Sequence, residues 1–288
     1  MQVTTKTRVA FQGVPGAYSE IAALRVFEGS LGGGDLEVQP QGYPSFHDVL
    51  EAVRTGECER AALPIENSLA GGVIPAMDLL LDSDLRVIGE VMVRVRHQLL
   101  ALPGTRLEDL ERVHSHPQAL AQCAGFLKRH GLQPVPAYDT AGSAQDLLSL
   151  NDPHAGCIAS RRAGELYGLE VLASDIEDED FNTTRFFVLS RERLPFREGV
   201  PYKTSLVFAV GHHPGDLVSA LAVFRDHGIN LSKIESRPRR NRPWSYLFFV
   251  DLEGHTEQAN VRAAMSELTS TASMVRVLGS YPSAEMPL

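Results

Sequence analysis

The feature that most constrains this chain is an alternation of short apolar strands with helices, which runs to about residue 190 and then gives way to a different rhythm. "TRVAFQGV" reads as a strand, "PGAY" as a turn and "SEIAALRVF" as a helix, with Ser19 the expected cap. A second helix is expected between Ser45 and Gly56, followed by the short buried strand "RAALPIEN". Strand and helix keep alternating through "LEVLASDI", which argues for α/β sheets. "SRERLPFREGVPYK", residues 190 to 203, is polar and charged with two prolines, and reads as a linker. Beyond it come strand, helix, two strands, helix and strand, a βαββαβ run of about 80 residues with ferredoxin-like topology. The expected divisions are 1–190, 191–202 and 203–288.

Composition narrows what such a chain does. Its 288 residues fit two domains, and 43% hydrophobic with 22% charged residues is ordinary for a globular protein. A formal net charge of -9 argues against nucleic-acid partners and anionic membranes. An anionic ligand would need a local cluster of positive groups. Cys58, Cys123 and Cys157 form no CxxC pair, so neither a disulfide framework nor a zinc ribbon is expected. A reducing cytoplasm is the expected compartment. "MQVTTKTRVAFQG" lacks an apolar signal region, and no apolar run reaches membrane-spanning length.

Five short stretches carry candidate chemistry, each with a plainer alternative. "GVPGAYSE" is an anion-binding helix start or an ordinary β–α turn. "LPIENSLAGGV" sets Asn67 and Ser68 at a strand's end, where they donate to a ligand or to their own turn. "SHPQALAQC" places Ser115 or His116 at a cap and Pro117 in the first turn; His114 and His116 with Cys123 lack a third metal ligand at suitable spacing. "YDTAGSAQDL" puts Thr140 and Ser143 before another helix. In "FNTTRFFVL", Thr184 and Arg185 would face opposite sides of a regular strand, and serve one cleft only if the chain is irregular there. Arg185 then either grips a carboxylate bidentately or pairs with a neighbour such as Asp178 or Asp180.

"GAYSE", "PIENSLAGGV", "SHPQALAQC", "YDTAGSA" and "NTTRFFVL", in that order, resemble prephenate dehydratase, and "GINLSKIESRP" resembles the phenylalanine-binding signature of the ACT domain that follows it. No chorismate-mutase segment precedes the first strand, as in the monofunctional form. The resemblance implies a catalytic domain of two α/β lobes, similar to type II periplasmic binding proteins, with the active site between them. It implies conversion of prephenate to phenylpyruvate, carbon dioxide and water without metal or organic cofactor. Carried over by motif, Thr184 is the hydrogen-bond donor to the departing hydroxyl and Arg185 a carboxylate anchor. Asn67, Ser68, Ser115, Gln118 and Thr140 supply neutral donors, and Phe186 lies at the substrate. Arogenate dehydratase on the same scaffold and a non-catalytic aromatic-amino-acid sensor are the rival readings.

The same resemblance implies L-phenylalanine as feedback effector and a homo-oligomer, at least a dimer, with the effector between two copies. Its carboxylate would meet the helix start at Gly215, and its ring a slot lined by Leu217 and Ile234. Asn230, Leu231, Glu235 and Ser236 complete the expected site. Asp216 stands where the family commonly has alanine, so its carboxylate either points outward or repels the ligand.

Overall fold

The computed structural model describes residues 5–27, 36–239 and 245–284. The loop "LGGGDL" and Arg240 and Arg242 of the basic turn lie largely or wholly outside them. Three sheets organise the described residues.

The first lobe holds β1 (Thr5–Gln12), α1 (Tyr18–Leu24), β2 (Leu36–Tyr43), α2 (Phe46–Thr55), β3 (Arg60–Asn67), β4 (Gly71–Gly72), α3 (Ile74–Asp82) and β5 (Arg86–Arg94). The second holds β6 (Gln98–Ala101), β7 (Arg112–Ser115), α4 (Pro117–Gln122), α5 (Ala124–Arg129), β8 (Gln133–Pro136), α6 (Gly142–Leu150), β9 (Ala155–Ala159), α7 (Arg161–Tyr167) and β10 (Glu170–Ala173). The chain then returns to the first lobe as β11 (Thr183–Ser190). Sheet order is β2-β1-β3-β11-β5 in the first lobe, with β4 beside β3, and β10-β6-β9-β7-β8 in the second. Strands buried on both faces, such as "AGCIA" of β9, are continuous apolar runs because helices cover both sides.

The two crossings between lobes run side by side. Val95 N–H donates to the Asn182 carbonyl at 2.8 Å, and Ile176 N–H to the His97 carbonyl at 3.1 Å. This gives the two-lobed fold expected from the sequence.

Local signals held where a side chain had one clear task. The Ser45 hydroxyl accepts from Asp48 N–H and caps α2, and Gly56 ends it in the left-handed region. Ser19 differs from expectation: Ala17 is the cap position of α1, and Ser19 lies within the first turn.

The last unit is β12 (Tyr202–Ala209), α8 (Asp216–Asp226), β13 (Leu231–Pro238), β14 (Tyr246–Glu253), α9 (Ala259–Thr271) and β15 (Met274–Pro282), in sheet order β13-β14-β12-β15. This is the ferredoxin-like arrangement. One face of its sheet carries α8 and α9 over Leu206, Phe208, Val250 and Leu252. The other face joins the first lobe: Val207, Phe249, Leu278 and Tyr281 share a core with Leu63, Ile65, Met77, Phe187 and Leu189. The segment before β12 is also tied down, with Arg191 donating to the Val53 carbonyl and Phe196 stacked on His255.

β15 and β5 approach so closely that a Cβ on Gly279 would lie 2.0 Å from the Val87 carbonyl oxygen. Overpacking against backbone costs typically about 1–3 kcal/mol. Gly279→Ala is therefore expected to lower Tm by several degrees, at roughly 2–4 °C per kcal/mol in a chain of this size. An unchanged melting curve by circular dichroism would contradict this close docking.

Candidate active site

The strand ends of both lobes face a cleft of about 470 Å³, which continues into a recess of about 140 Å³. The first lobe contributes Gln12 from β1, Pro64 and Asn67 from β3, and Thr184 and Phe186 from β11. The second contributes His116 and Gln118 at the start of α4, Tyr138 to Ala141 ahead of α6, and Ser160 ahead of α7. Sites at the carboxyl ends of sheet strands are the rule for open α/β folds. Among the described residues, no lysine or arginine lines this space. Side-chain amides, hydroxyls and helix starts line it together with the Asp139 carboxylate; α1, for one, begins without a side-chain cap.

Thr184 is the best-placed hydroxyl. Asn67 Nδ2 donates to Thr184 Oγ1 at 3.0 Å and to Asn182 Oδ1 at 2.8 Å. Asn67 Oδ1 accepts from the N–H groups of Leu69 and Ala70, which fixes the orientation of its amide. Thr184 Oγ1 thus has a lone pair occupied and its proton free for the cleft. Asn182 is 1% exposed, lines the recess, and its Nδ2 has no hydrogen-bond partner. A buried donor without an acceptor is costly and rare. Aimed into a cleft, it marks a place for a ligand oxygen. Asn182 lies within "FNTTRFFVL" beside the hydroxyls and the guanidinium, and no local pattern distinguishes it.

His97 and Tyr18 form the rear wall of the recess. Tyr18 Oη donates to the Arg96 carbonyl at 2.6 Å and lies 3.3 Å from His97 Nδ1; His97 Nε2 is 2.9 Å from Gln122 Oε1. Burial lowers the His97 pKa and, with Glu177 nearby, raises that of Tyr18 well above its usual value. Both are neutral at physiological pH.

The expected residues divide. Thr184, Asn67, Gln118, Thr140 and Phe186 meet at the cleft. Arg185 does not. The β-pleat turns it to the opposite face of β11, where it is ion-paired with Asp251 at 2.6 Å, Glu66 at 3.2 Å and Glu90 at 3.4 Å. Its expected carboxylate anchor is replaced by this cluster, and its partners are not Asp178 or Asp180. Burial alone would lower its pKa, but Asp251 and the other carboxylates raise it.

Ser68 is also outside the cleft lining: its hydroxyl donates to the Phe181 carbonyl and accepts from Thr183 N–H. Ser115 is fully buried and donates to the Ile158 carbonyl, tying β7 to β9. His116, not Ser115, caps α4, its Nδ1 accepting from Gln118 N–H.

In the ferredoxin-like unit, Gly215 is the cap position of α8, which has no side-chain cap. Asp216 turns back on its own loop, accepting from His213 N–H at 3.0 Å. Leu217 and Leu231 pack against the unit's core, and Asn230 Nδ2 donates to Glu253. Ser236 and Ile234 are exposed, whereas Glu235 pairs with Lys233 on the side facing β4.

A family model described as prephenate dehydratase matches residues 9–194. "Arogenate dehydratase/prephenate dehydratase 1, chloroplastic" of Arabidopsis thaliana is 43% identical over 96% of this chain and 72% of its own length. A structure titled prephenate dehydratase in complex with L-Phe, from Arthrobacter aurescens, is 36% identical and superposes with a TM-score of 0.83 over 96% of this chain and 89% of that one. A structure titled as GqqA, a novel type of quorum quenching acylase, is 37% identical with a TM-score of 0.85 over 96% and 98% of the two chains. The expected cytoplasmic placement is corrected by the curated relatives, several of which are named chloroplastic. Buried free thiols at Cys58, Cys123 and Cys157 fit any reducing compartment and do not choose between them.

The lobes also touch directly beside the cleft. Arg162 of α7 donates two hydrogen bonds to Glu20 of α1, at 2.6 and 2.9 Å, and Ser160 Oγ donates to the Gly16 carbonyl. A Cβ on Gly16 would lie 2.8 Å from Ala163, and its φ is +92°. Burial would raise the Glu20 pKa, but Arg162 and the Gly16 N–H more than offset this and hold it below the usual 4.5. A carboxyl with a depressed folded pKa stabilises above its unfolded pKa and loses that contribution as pH falls through the folded value. The Tm difference between wild type and Glu20→Gln is thus expected to be largest at neutral pH and to shrink below about pH 4. A difference that stays constant into acid would rule out this latch.

Proposed function

The chain belongs to the prephenate dehydratase family, and we propose that its interlobe cleft converts prephenate to phenylpyruvate, carbon dioxide and water, on the way to phenylalanine. The observation that carries the reading is the Thr184 hydroxyl. Asn67 occupies its lone pair at 3.0 Å, so its O–H is left to donate into the cleft. In the reaction the ring carboxylate leaves as carbon dioxide, its bonding electrons enter the ring, and the opposite C–O bond breaks. Aromatisation supplies the driving force. Thr184 donates to the departing oxygen, and the proton that completes water comes from solvent, since a threonine hydroxyl is itself a weak acid. A positioned donor of this kind is worth typically about 10²–10⁴ fold.

A cleft with no lysine or arginine among its described lining residues suits a decarboxylation. Tight pairing to the departing carboxylate would stabilise the ground state. Backbone N–H groups and the side-chain amides of Asn182 and Gln118, which line the recess, are the donors offered to the two carboxylates instead. An acylase, the word in one neighbour's title, would call for an activated nucleophile such as a hydroxyl paired to a base. Among the described residues of the cleft, Ser160 donates to a carbonyl and Thr184 is bonded to an amide. Arogenate differs from prephenate by an amino group for the keto oxygen, and the curated relative carries both names.

We assign residues 1–190 to the catalytic domain, 191–202 to the connection and 203–288 to an ACT regulatory domain. The L-Phe complex of a 36% identical structure supports phenylalanine as effector. Gly215, Leu217, Asn230, Leu231 and Ser236 belong to its proposed site between two copies, while Glu235 is committed elsewhere. Exposed Val218 and Ile234 favour pairing of those copies. Asp216 is held by its own loop, so its charge is partly satisfied and inhibition should remain.

Thr184→Ala is expected to lower kcat for prephenate by about 10²–10⁴ fold with little change in KM, because the bond is made mainly in the transition state. Phenylpyruvate absorbance measures it; a kcat within twofold of wild type would remove Thr184 from the mechanism. The ratio of kcat/KM for prephenate and arogenate decides between the two substrates, and a higher value for arogenate would overturn prephenate as the preferred substrate. Calorimetry with L-phenylalanine should show saturable binding to the full chain, and no heat would reject the effector site.

A further inference from the structure

β11 and β3 pair in a register that sets two couples back to back. Thr184 lies opposite Asn67, and one residue along Arg185 lies opposite Glu66. The pleat sends the first couple to the cleft and the second to the rear of the sheet. The register shifts immediately after Arg185, where Phe186 pairs with Pro64 and Ile65 is passed over. Bulges of this kind re-aim side chains beside active sites.

The rear couple is held by the C-terminal unit. Arg185 Nη2 lies 2.6 Å from Asp251 Oδ2, and Glu66 lies 3.0 Å from Lys233 Nζ. Glu90, with a side chain fully buried, bridges Arg185 and Lys203. Asp251 in turn is oriented by the Ser205 hydroxyl, itself 2.6 Å from the Tyr281 hydroxyl. Arg185 Nε and Nη2 and Asp251 Oδ2 lack aligned hydrogen bonds despite these distances. The pairing with Asp251 is therefore chiefly Coulombic rather than directional. A buried cation with three carboxylates around it has no cheap alternative position.

We propose that Arg185 is a positioning residue: gripped from behind by Asp251, it sets β11 so that Thr184 meets Asn67 and presents its hydroxyl to the cleft. This rests on the reading of Thr184 as leaving-group donor. It also gives the C-terminal unit a direct hold on the chemistry. Asp251 and Lys233 are partners across β14 and β13, and β13 is the strand that carries the proposed effector residues. A ligand that shifts β13 and β14 relative to β11 moves the grip on Arg185 and, one residue away, the donor.

The test is a double-mutant cycle on the full chain, with kcat and KM for prephenate measured in wild type, Asp251→Asn, Thr184→Ala and the double variant. Asp251→Asn keeps the shape and removes the charge. It should lower kcat about tenfold or more with KM within about twofold, the size of effect expected from a misplaced donor. In the Thr184→Ala background it should change kcat by less than about twofold, since the group it positions is gone. A role confined to stability would act by the same factor in both backgrounds, and that result would overturn the proposal, as would wild-type kcat in Asp251→Asn. If circular dichroism shows that Asp251→Asn does not fold, Ser205→Ala loosens the same carboxylate and takes its place in the cycle under the same criteria. Absence of turnover in the wild type would remove the proposed function and this inference with it. Turnover in the wild type with an additive cycle removes the inference alone.

Discussion

The pairing of β11 with β3 is the contact on which the rest of the site depends. β11 enters the first lobe antiparallel, between β3 and β5, after the chain has built the second lobe. Its first residues are both the lip of the cleft and the contact with the C-terminal sheet. One face of the strand carries Thr184 and Phe186 into the cleft; the other carries Arg185 and Phe187 to Asp251 and Tyr281. A strand of period two is a natural device for this, because adjacent residues cannot share a face. The charges at this interface sit at the edge of a continuous apolar core, which brings the sheets together while the ion pairs fix their register. Burial of apolar area is non-directional and supplies the adhesion. The buried pairs supply position.

The cleft itself is organised on the opposite principle. Apart from the Asp139 carboxylate, which accepts from Ala141 and Gly142 N–H, its polar side chains are amides, hydroxyls and imidazole, and several are held by other side chains or by the backbone: Asn67 by Leu69 and Ala70, His116 by Gln118, Ser160 by Ala163. Such groups do not reorganise when charge moves. A dianion in a chain of net charge -9 is thus received by donors whose geometry is already set. The direct interlobe contacts at Glu20–Arg162 and Gly16–Ser160 hold the lobes together on one side of this space.

Much of the fold was legible because its signals are local. The switch from α/β alternation to βαββαβ, the caps at Ser45 and Gly56, and the polar stretch before β12 each depend on neighbours in the chain. The site was legible only in part. Thr184, Asn67, Gln118 and Thr140 meet as their motifs imply. Arg185 was misplaced because its partners, Glu66, Glu90 and Asp251, lie 66 to 119 positions away and two of them belong to other strands of one sheet while the third belongs to another unit. Motif order alone says which residues belong together, not which face of a strand each occupies; the expectation of opposite faces in a regular strand was the better guide. Ser68 and Ser115 differ from expectation for a related reason. A serine at a strand end is equally suited to a ligand and to a nearby carbonyl, and here Ser68 donates to the Phe181 carbonyl and Ser115 to that of Ile158. Asn182 had no local signal, since its orphaned amide becomes visible only when burial and partners are known.

The central claim is that the hydroxyl in front of β11 is held in place from behind it. A crystal structure of the Asp251→Asn chain measures this directly. If the account is right, loss of the rear charge loosens Arg185 and the Asn67 Nδ2 to Thr184 Oγ1 contact, 3.0 Å in the native chain, opens beyond hydrogen-bond reach. If that contact and the position of Arg185 are unchanged in the variant, the front of the strand does not depend on the rear and the account is contradicted.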